Sequence, residues 1–171
     1  MTQSSRTLRS RTLALALTAA LALLPAGCRN PLEGYALVSR QAAEADGGRF
    51  SFDLNLEDSC CVYRTAVAAR LNTAQLPGQS IELQMSVTSP GGQTAIERVA
   101  FPLHDVPGQV RSRRHDGGVR DFLWPWREQI RIPGPELGTW KVVITLPDAA
   151  ALKAVEGIGL SYEGKPWEKA N

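Results

Sequence analysis

The sequence predicts an all-β domain, an antiparallel β-sandwich or jelly-roll-like fold of about eight strands with one short helix, and three observations carry that expectation. From Tyr35 onward, short runs of alternating apolar and polar residues recur, which is the period of a half-buried strand. Clusters of Gly, Pro, Asn and Asp separate those runs and read as turns. Once a leader at the start of the chain is set aside, the length that is left suits one core better than two. A closed β-barrel is the alternative way to bury the same pattern.

Taken in order, Phe50, Phe52, Leu54 and Leu56 alternate with Ser51, Asp53 and Asn55, a strand with one apolar face. The run from Cys61 to Leu71 places Tyr63, Thr65, Val67, Ala69 and Leu71 on one side and Arg64 and Arg70 on the other. Alternation is cleanest from Ile81 to Thr88, and Ser89-Pro90-Gly91-Gly92 then reads as a tight turn into a partner strand from Thr94 to Phe101. The polar, basic stretch from Pro102 to Gly118 reads as a long loop rather than a sheet strand. Phe122 to Trp126 and Glu128 to Ile132 are expected as two short strands, or one strand broken at Pro125, which has no N–H for a ladder. Trp140, Val142, Ile144 and Leu146 mark a further strand, Asp148 is placed to cap a short helix that Gly157 would end, and Ile158, Leu160 and Tyr162 form the last strand.

The leader explains how such a domain would be delivered. Arg6, Arg9 and Arg11 precede an apolar run from Leu13 to Leu24, too short for a stable membrane span, and Pro25-Ala26-Gly27-Cys28 follows. A cysteine directly after two small residues resembles a lipobox, in which the thiol is acylated and Cys28 becomes the first mature residue; Pro25 departs from the Leu or Val common at its place. Ordinary cleavage near Ala26 or Gly27 is the competing reading, and it leaves a free thiol in an oxidising compartment. The expected organisation is a signal peptide over 1–27, a lipidated tether over 28–34, a sandwich domain over 35–165 and a tail over 166–171.

Removing residues 1–27 from the 171 leaves 144, and it takes three arginines from the 19 basic residues. The mature part therefore carries 16 basic against 17 acidic residues, a balance that argues against nucleic acid as a partner. No catalytic signature emerges, and no cofactor or metal is expected. Cys60 and Cys61 are neighbours, so they form either a strained vicinal disulfide in a turn or one buried and one exposed thiol; their spacing to His104 and His115 matches no structural zinc pattern. His104-Asp105 and His115-Asp116 suggest a base and its orienting acid, but no nucleophile motif accompanies them and both read as loop histidines. Asp53 with Glu57 or Asp58 is a carboxylate pair at a strand end, where acids ordinarily face water. Arg111, Arg113 and Arg114 form the basic cluster of the mature chain, suited to an acidic partner, a phosphate or lipid headgroups, or else simply solvated. Trp124 and Trp126 either present a stacking platform for a sugar ring or divide into one core and one partly exposed indole. Trp140 reads as core and Trp167 as part of the exposed tail.

An ordered set of segments adds a resemblance to this reading. Asp121-Phe122-Leu123-Trp124 with Trp126-Arg127, then Ile130-Arg131-Ile132, Gly138-Thr139-Trp140, and Leu152 through Val155-Glu156-Gly157-Ile158-Gly159-Leu160 follow an acylated start and a first strand pair at Ser51–Leu54 and Tyr63–Asn72. Together these resemble the gliding motility-associated lipoprotein H family of the Bacteroidota. The resemblance implies a non-catalytic cell-envelope lipoprotein, bound to the membrane through the lipid on Cys28 and working through contacts with proteins of a motility- and secretion-linked assembly. Arg29 stands where an aspartate would retain the lipoprotein in the inner membrane, which predicts outer-membrane delivery, and the lack of an acidic run after Cys28 predicts a periplasm-facing attachment. A carbohydrate-binding lipoprotein using Trp124 and Trp126 is the alternative.

Overall fold

Nine strands pair into two antiparallel sheets in the computed structural model, which describes residues 33–76 and 78–167. The expected signal peptide over 1–27, Cys28, residues 29–32 of the expected tether and residues 168–171 of the tail lie outside the described residues. In chain order the elements are β1 (Glu33–Ser39), α1 (Arg40–Ala45), β2 (Arg49–Leu56), β3 (Cys61–Asn72), β4 (Ser80–Thr88), β5 (Thr94–Pro102), β6 (Arg111–Arg114), β7 (Val119–Arg131), β8 (Gly138–Thr145), α2 (Ala149–Ala154) and β9 (Val155–Pro166). One sheet runs β1-β9-β3-β7-β6 and the other β2-β8-β4-β5. Both sheets have free edges, so the chain folds as a sandwich and not as a closed barrel.

The period-two pattern puts each strand's apolar set on the inner face. Phe50, Phe52, Leu54 and Leu56 of β2 and Ile81, Leu83 and Met85 of β4 meet Tyr63, Val67 and Leu71 of β3 and Ile158 and Leu160 of β9, all buried in one core. Because a slip of one residue would turn each of these sets to solvent, the core also fixes register. Two of the crossings from one sheet to the other, β1 to β2 and β8 to β9, are made by helices. Ser39 caps α1 by accepting a hydrogen bond from Ala42 N at 3.2 Å, and Asp148 caps α2 by accepting one from Ala150 N at 2.9 Å. Arg40 of α1 donates to the Lys153 carbonyl of α2 at 2.9 Å, so both helices close the same end of the sandwich.

Several expectations need correction. Arg111–Arg114 is not loop but a strand, β6, paired with Arg120–Leu123 of β7; four polar residues in a row hide a strand because this edge position buries little. Pro125 does not break β7, which runs unbroken through it as a bulge. Helix α2 stops at Ala154, and Gly157 lies inside β9, where Val38 and Leu37 of β1 crowd it. Glu33 and Gly34, read as tether, begin β1, and α1 is an additional helix.

Candidate functional site

Strand β7 departs from regular pairing where the chemistry concentrates. Against β3 its register runs Ala66 to Pro125, Thr65 to Arg127 and Tyr63 to Ile130, so β7 carries an extra residue at each of two places. Gln129 adopts φ 57° in the second irregularity. Thr65 sits opposite, buried, and its hydroxyl accepts a hydrogen bond from Arg127 N at 3.2 Å, which satisfies a backbone donor that the bulge takes out of the ladder. Beyond Leu123, β6 no longer covers β7, and its free edge faces β5, the free edge of the other sheet.

Between those edges the sheets part to leave a cleft of about 440 Å³. Leu54, Leu56, Val87 and Trp140 form one wall, and Trp126, Ile130 and Ile132 the other. Glu97 stands at its mouth on the inward face of β5, in the series Ala95, Glu97, Val99, Phe101. Its carboxylate accepts from Trp126 Nε1 at 2.5 Å and from Arg127 Nη2, a strap from sheet to sheet. Trp140 Nε1 is satisfied by the Glu136 carbonyl at 2.9 Å, so its ring is held in place along the wall. Helices close the opposite end of the sandwich, so this is its open end.

A second feature lies on the outer face of the five-stranded sheet. Register places Leu37, Gly159, Ala68, Leu123 and Arg111 in one row across the strands, and Tyr35, Ser161, Ala66 and Pro125 in the next. Small residues form the floor. Tyr35 and Leu37, each 59% exposed, and Leu123, 43% exposed, stand on either side of it. A Cβ on Gly159 would lie 2.9 Å from Tyr35 Oη, so this glycine admits the ring that covers it; on the inner face Gly34 does the same for Tyr162, whose ring a Cβ there would strike.

One end of this floor is charged. Arg70 holds Asp121 through two bonds, Nε to Oδ1 at 2.7 Å and an Nη to Oδ2 at 2.9 Å, and His115 Nε2 lies 2.7 Å from Oδ2. The Arg70 guanidinium, with His115 beside it, lowers the Asp121 carboxyl to about 2 against the opposing effect of burial. A carboxylate whose folded pKa lies below its unfolded value of about 3.9 stabilises fully above that value and loses its contribution as pH falls through the folded one. Stability is therefore expected to drop between about pH 4 and pH 2, and Asp121→Asn to flatten that limb when urea midpoints are followed against pH.

The residues singled out from sequence separate here. Arg111, Arg113 and Arg114 are exposed on the β6 edge, where charge discourages pairing with another chain. Trp124 and Trp126 do not form a two-indole platform: Trp124 is 1% exposed, sandwiched between Phe101 and Phe122 at 4.9 and 5.3 Å, while Trp126 lines the cleft. Cys61 is buried and Cys60 exposed, both free thiols, and burial with Asp58 nearby pushes the Cys61 thiol up. Asp58 organises that turn, accepting from Cys60 N at 2.7 Å, and Asp53 faces outward opposite Lys141. His104 is exposed, and His115 takes Asp121 as its partner rather than Asp116. Among the described residues no three His, Cys, Asp or Glu side chains gather as a metal site would require. Trp167 is exposed, with the Arg131 guanidinium 4.7 Å from its ring centre.

The sequence reading set Thr65 on the apolar side of its strand and Glu97 within the Thr94–Phe101 strand but gave neither a role. Both left a signal, since each is a polar residue at an inward position of an otherwise apolar series. Tyr35, Leu37 and Leu123 carry no comparable mark, because their joint exposure follows from strand order. The chain matches no protein-family model and no curated protein significantly.

Proposed function

We propose that this chain is a lipid-anchored cell-envelope protein, similar to gliding motility-associated lipoprotein H, which acts without catalysis by contacting other proteins of a motility- and secretion-linked assembly. Acylated Cys28 holds it in the outer membrane, facing the periplasm. The observation that supports this reading best is the difference between the two outer faces. Across the four-stranded sheet the outward residues are mainly polar, including Ser51, Asp53, Asn55, Lys141, Glu82 and Gln84. Across the middle of the five-stranded sheet they are Tyr35, Leu37, Leu123, Pro125 and a floor of Ala66, Ala68, Gly159 and Ser161, with the Arg70–Asp121 pair at one end and Arg64 and Glu163 at the other. A flat apolar face rimmed by arginines is what a protein contact buries.

Photo-crosslinkers placed at Leu37, Leu123 and, as a control, Asp53 test the reading in the native membrane. Motility or secretion components are expected to crosslink from Leu37 and Leu123 but not from Asp53, and Leu37→Arg to weaken their capture by about tenfold or more. Equal labelling from both faces, or none from Leu37 and Leu123, would overturn it.

A further inference from the structure

We propose that the cleft between the sheets is a lipid site that takes one acyl chain of a zwitterionic phospholipid, with the headgroup phosphate on Arg127 and its ammonium on Glu97 and Glu128. The walls are mainly apolar, with Thr65 the polar residue among them away from the mouth, and the volume of about 440 Å³ falls within the range of about 300–1,000 Å³ typical of small-molecule pockets. Sandwich cores are normally filled to crystal-like density, so an open apolar space of this size is a cost that an occupant would remove. The cleft opens between two free strand edges, and its mouth carries Arg127, Glu97 and Glu128, with Arg127 and Glu97 paired across it, a pair that a phosphate and an ammonium would exchange for their own contacts. That set complements a headgroup bearing both a phosphate and an amine better than it does a fatty-acid carboxylate, which would face two like charges.

Position identifies where the lipid comes from, and in this respect the proposal rests on the reading of Cys28 as acylated. Glu33 pairs with Glu163, and Glu163 with Arg64, next to Thr65 and Tyr63, the residues that oppose Arg127 and Ile130 of the cleft wall. The chain therefore enters the sandwich at the end where the cleft opens, away from the helices. Glu33 follows Cys28 by five residues, a reach of at most about 18 Å when fully extended. With Cys28 acylated, that reach bounds how far Glu33, and with it the open end, can stand from the bilayer surface.

The test uses the mature chain with Cys28→Ser, which carries no lipid of its own, incubated with phosphatidylethanolamine vesicles whose acyl chains are brominated. Native mass spectrometry is expected to show one phospholipid retained per chain after the vesicles are removed, with tryptophan fluorescence quenched by the bromines. Ala95→Phe, which fills the mouth from an exposed position, and Arg127→Gln are each expected to weaken retention about tenfold, Ala95→Phe with an unchanged melting temperature and Arg127→Gln with the chain still folded, whereas Ser51→Phe on the opposite face leaves retention unaltered. No retained lipid, or retention that Ala95→Phe and Arg127→Gln do not weaken, would overturn the site. The mass of the wild-type chain extracted from membranes reports acylation of Cys28 separately, so the anchor and the cleft stand or fall independently.

Discussion

Replacing Trp124 with alanine is expected to lower the free energy of unfolding by about 3–5 kcal/mol, the largest single-residue effect in this domain. Trp124 projects from β7 into the core, stacked between Phe101 of one sheet and Phe122 of its own strand, and Nε1 donates to the Pro102 carbonyl at 2.8 Å. The indole joins the two sheets beside the place where they part. Alanine would remove the contacts with both rings, leave a cavity that two flanking aromatics cannot fill by rotation alone, and orphan a carbonyl. Urea unfolding followed by far-ultraviolet circular dichroism measures the loss. Trp126→Ala is the internal comparison: its ring is only half buried against the cleft, so it should cost clearly less. Equal costs for the two would mean that the core does not hinge on the Phe101–Trp124–Phe122 stack.

Changing Cys28 to serine is expected to move nearly all of the protein from the membrane fraction to the soluble fraction. Under the proposed function the whole attachment lies in lipid carried by that thiol, and no helix among the described residues is long and apolar enough to cross a membrane. Acyl chains contribute about 0.8 kcal/mol per buried CH₂, and stable anchoring takes more than one chain, far beyond what Tyr35 and Leu37 supply at a surface. Fractionation after a carbonate wash, with the mass of the mature chain read in parallel, decides the matter. A serine variant that still pellets through the wash, or a wild-type mass without acyl chains, would remove the anchor from the account.

Much of the sandwich was legible because burial on one face imposes a period that survives in the sequence. Phe50 to Leu56, Cys61 to Leu71 and Ile81 to Thr88 are strands with the inward sets that alternation assigned. Asp148 caps its helix as its position implied. Strand β6 was not legible, since Arg-Ser-Arg-Arg at an edge buries too little to show a period. Nor was α1, although Ser39 before Arg-Gln-Ala-Ala-Glu-Ala carries both a cap and good helix formers. The candidate sites were legible only in fragments. Trp126 stood out by type, but the cleft behind it depends on two bulges in β7, and the apolar outer face depends on β1 and β7 lying in one sheet with β9 and β3 between them. Neither is a local property of the chain.

If Cys28 carries lipid as proposed, the order β1-β9-β3 has a mechanical consequence. Any load transmitted from a lipid on Cys28 enters at Glu33 and passes into β1, which is held to β9 through seven register pairs from Glu33–Glu163 to Ser39–Gly157. A pull running out along the strand strains that ladder in shear, so the pairs share the force instead of parting one after another, and Tyr35 over Gly159 and Tyr162 over Gly34 act as pegs across the sliding direction. Under the proposed anchoring, the strand nearest Cys28 is thus the one that would carry tension between a membrane and a partner of the domain.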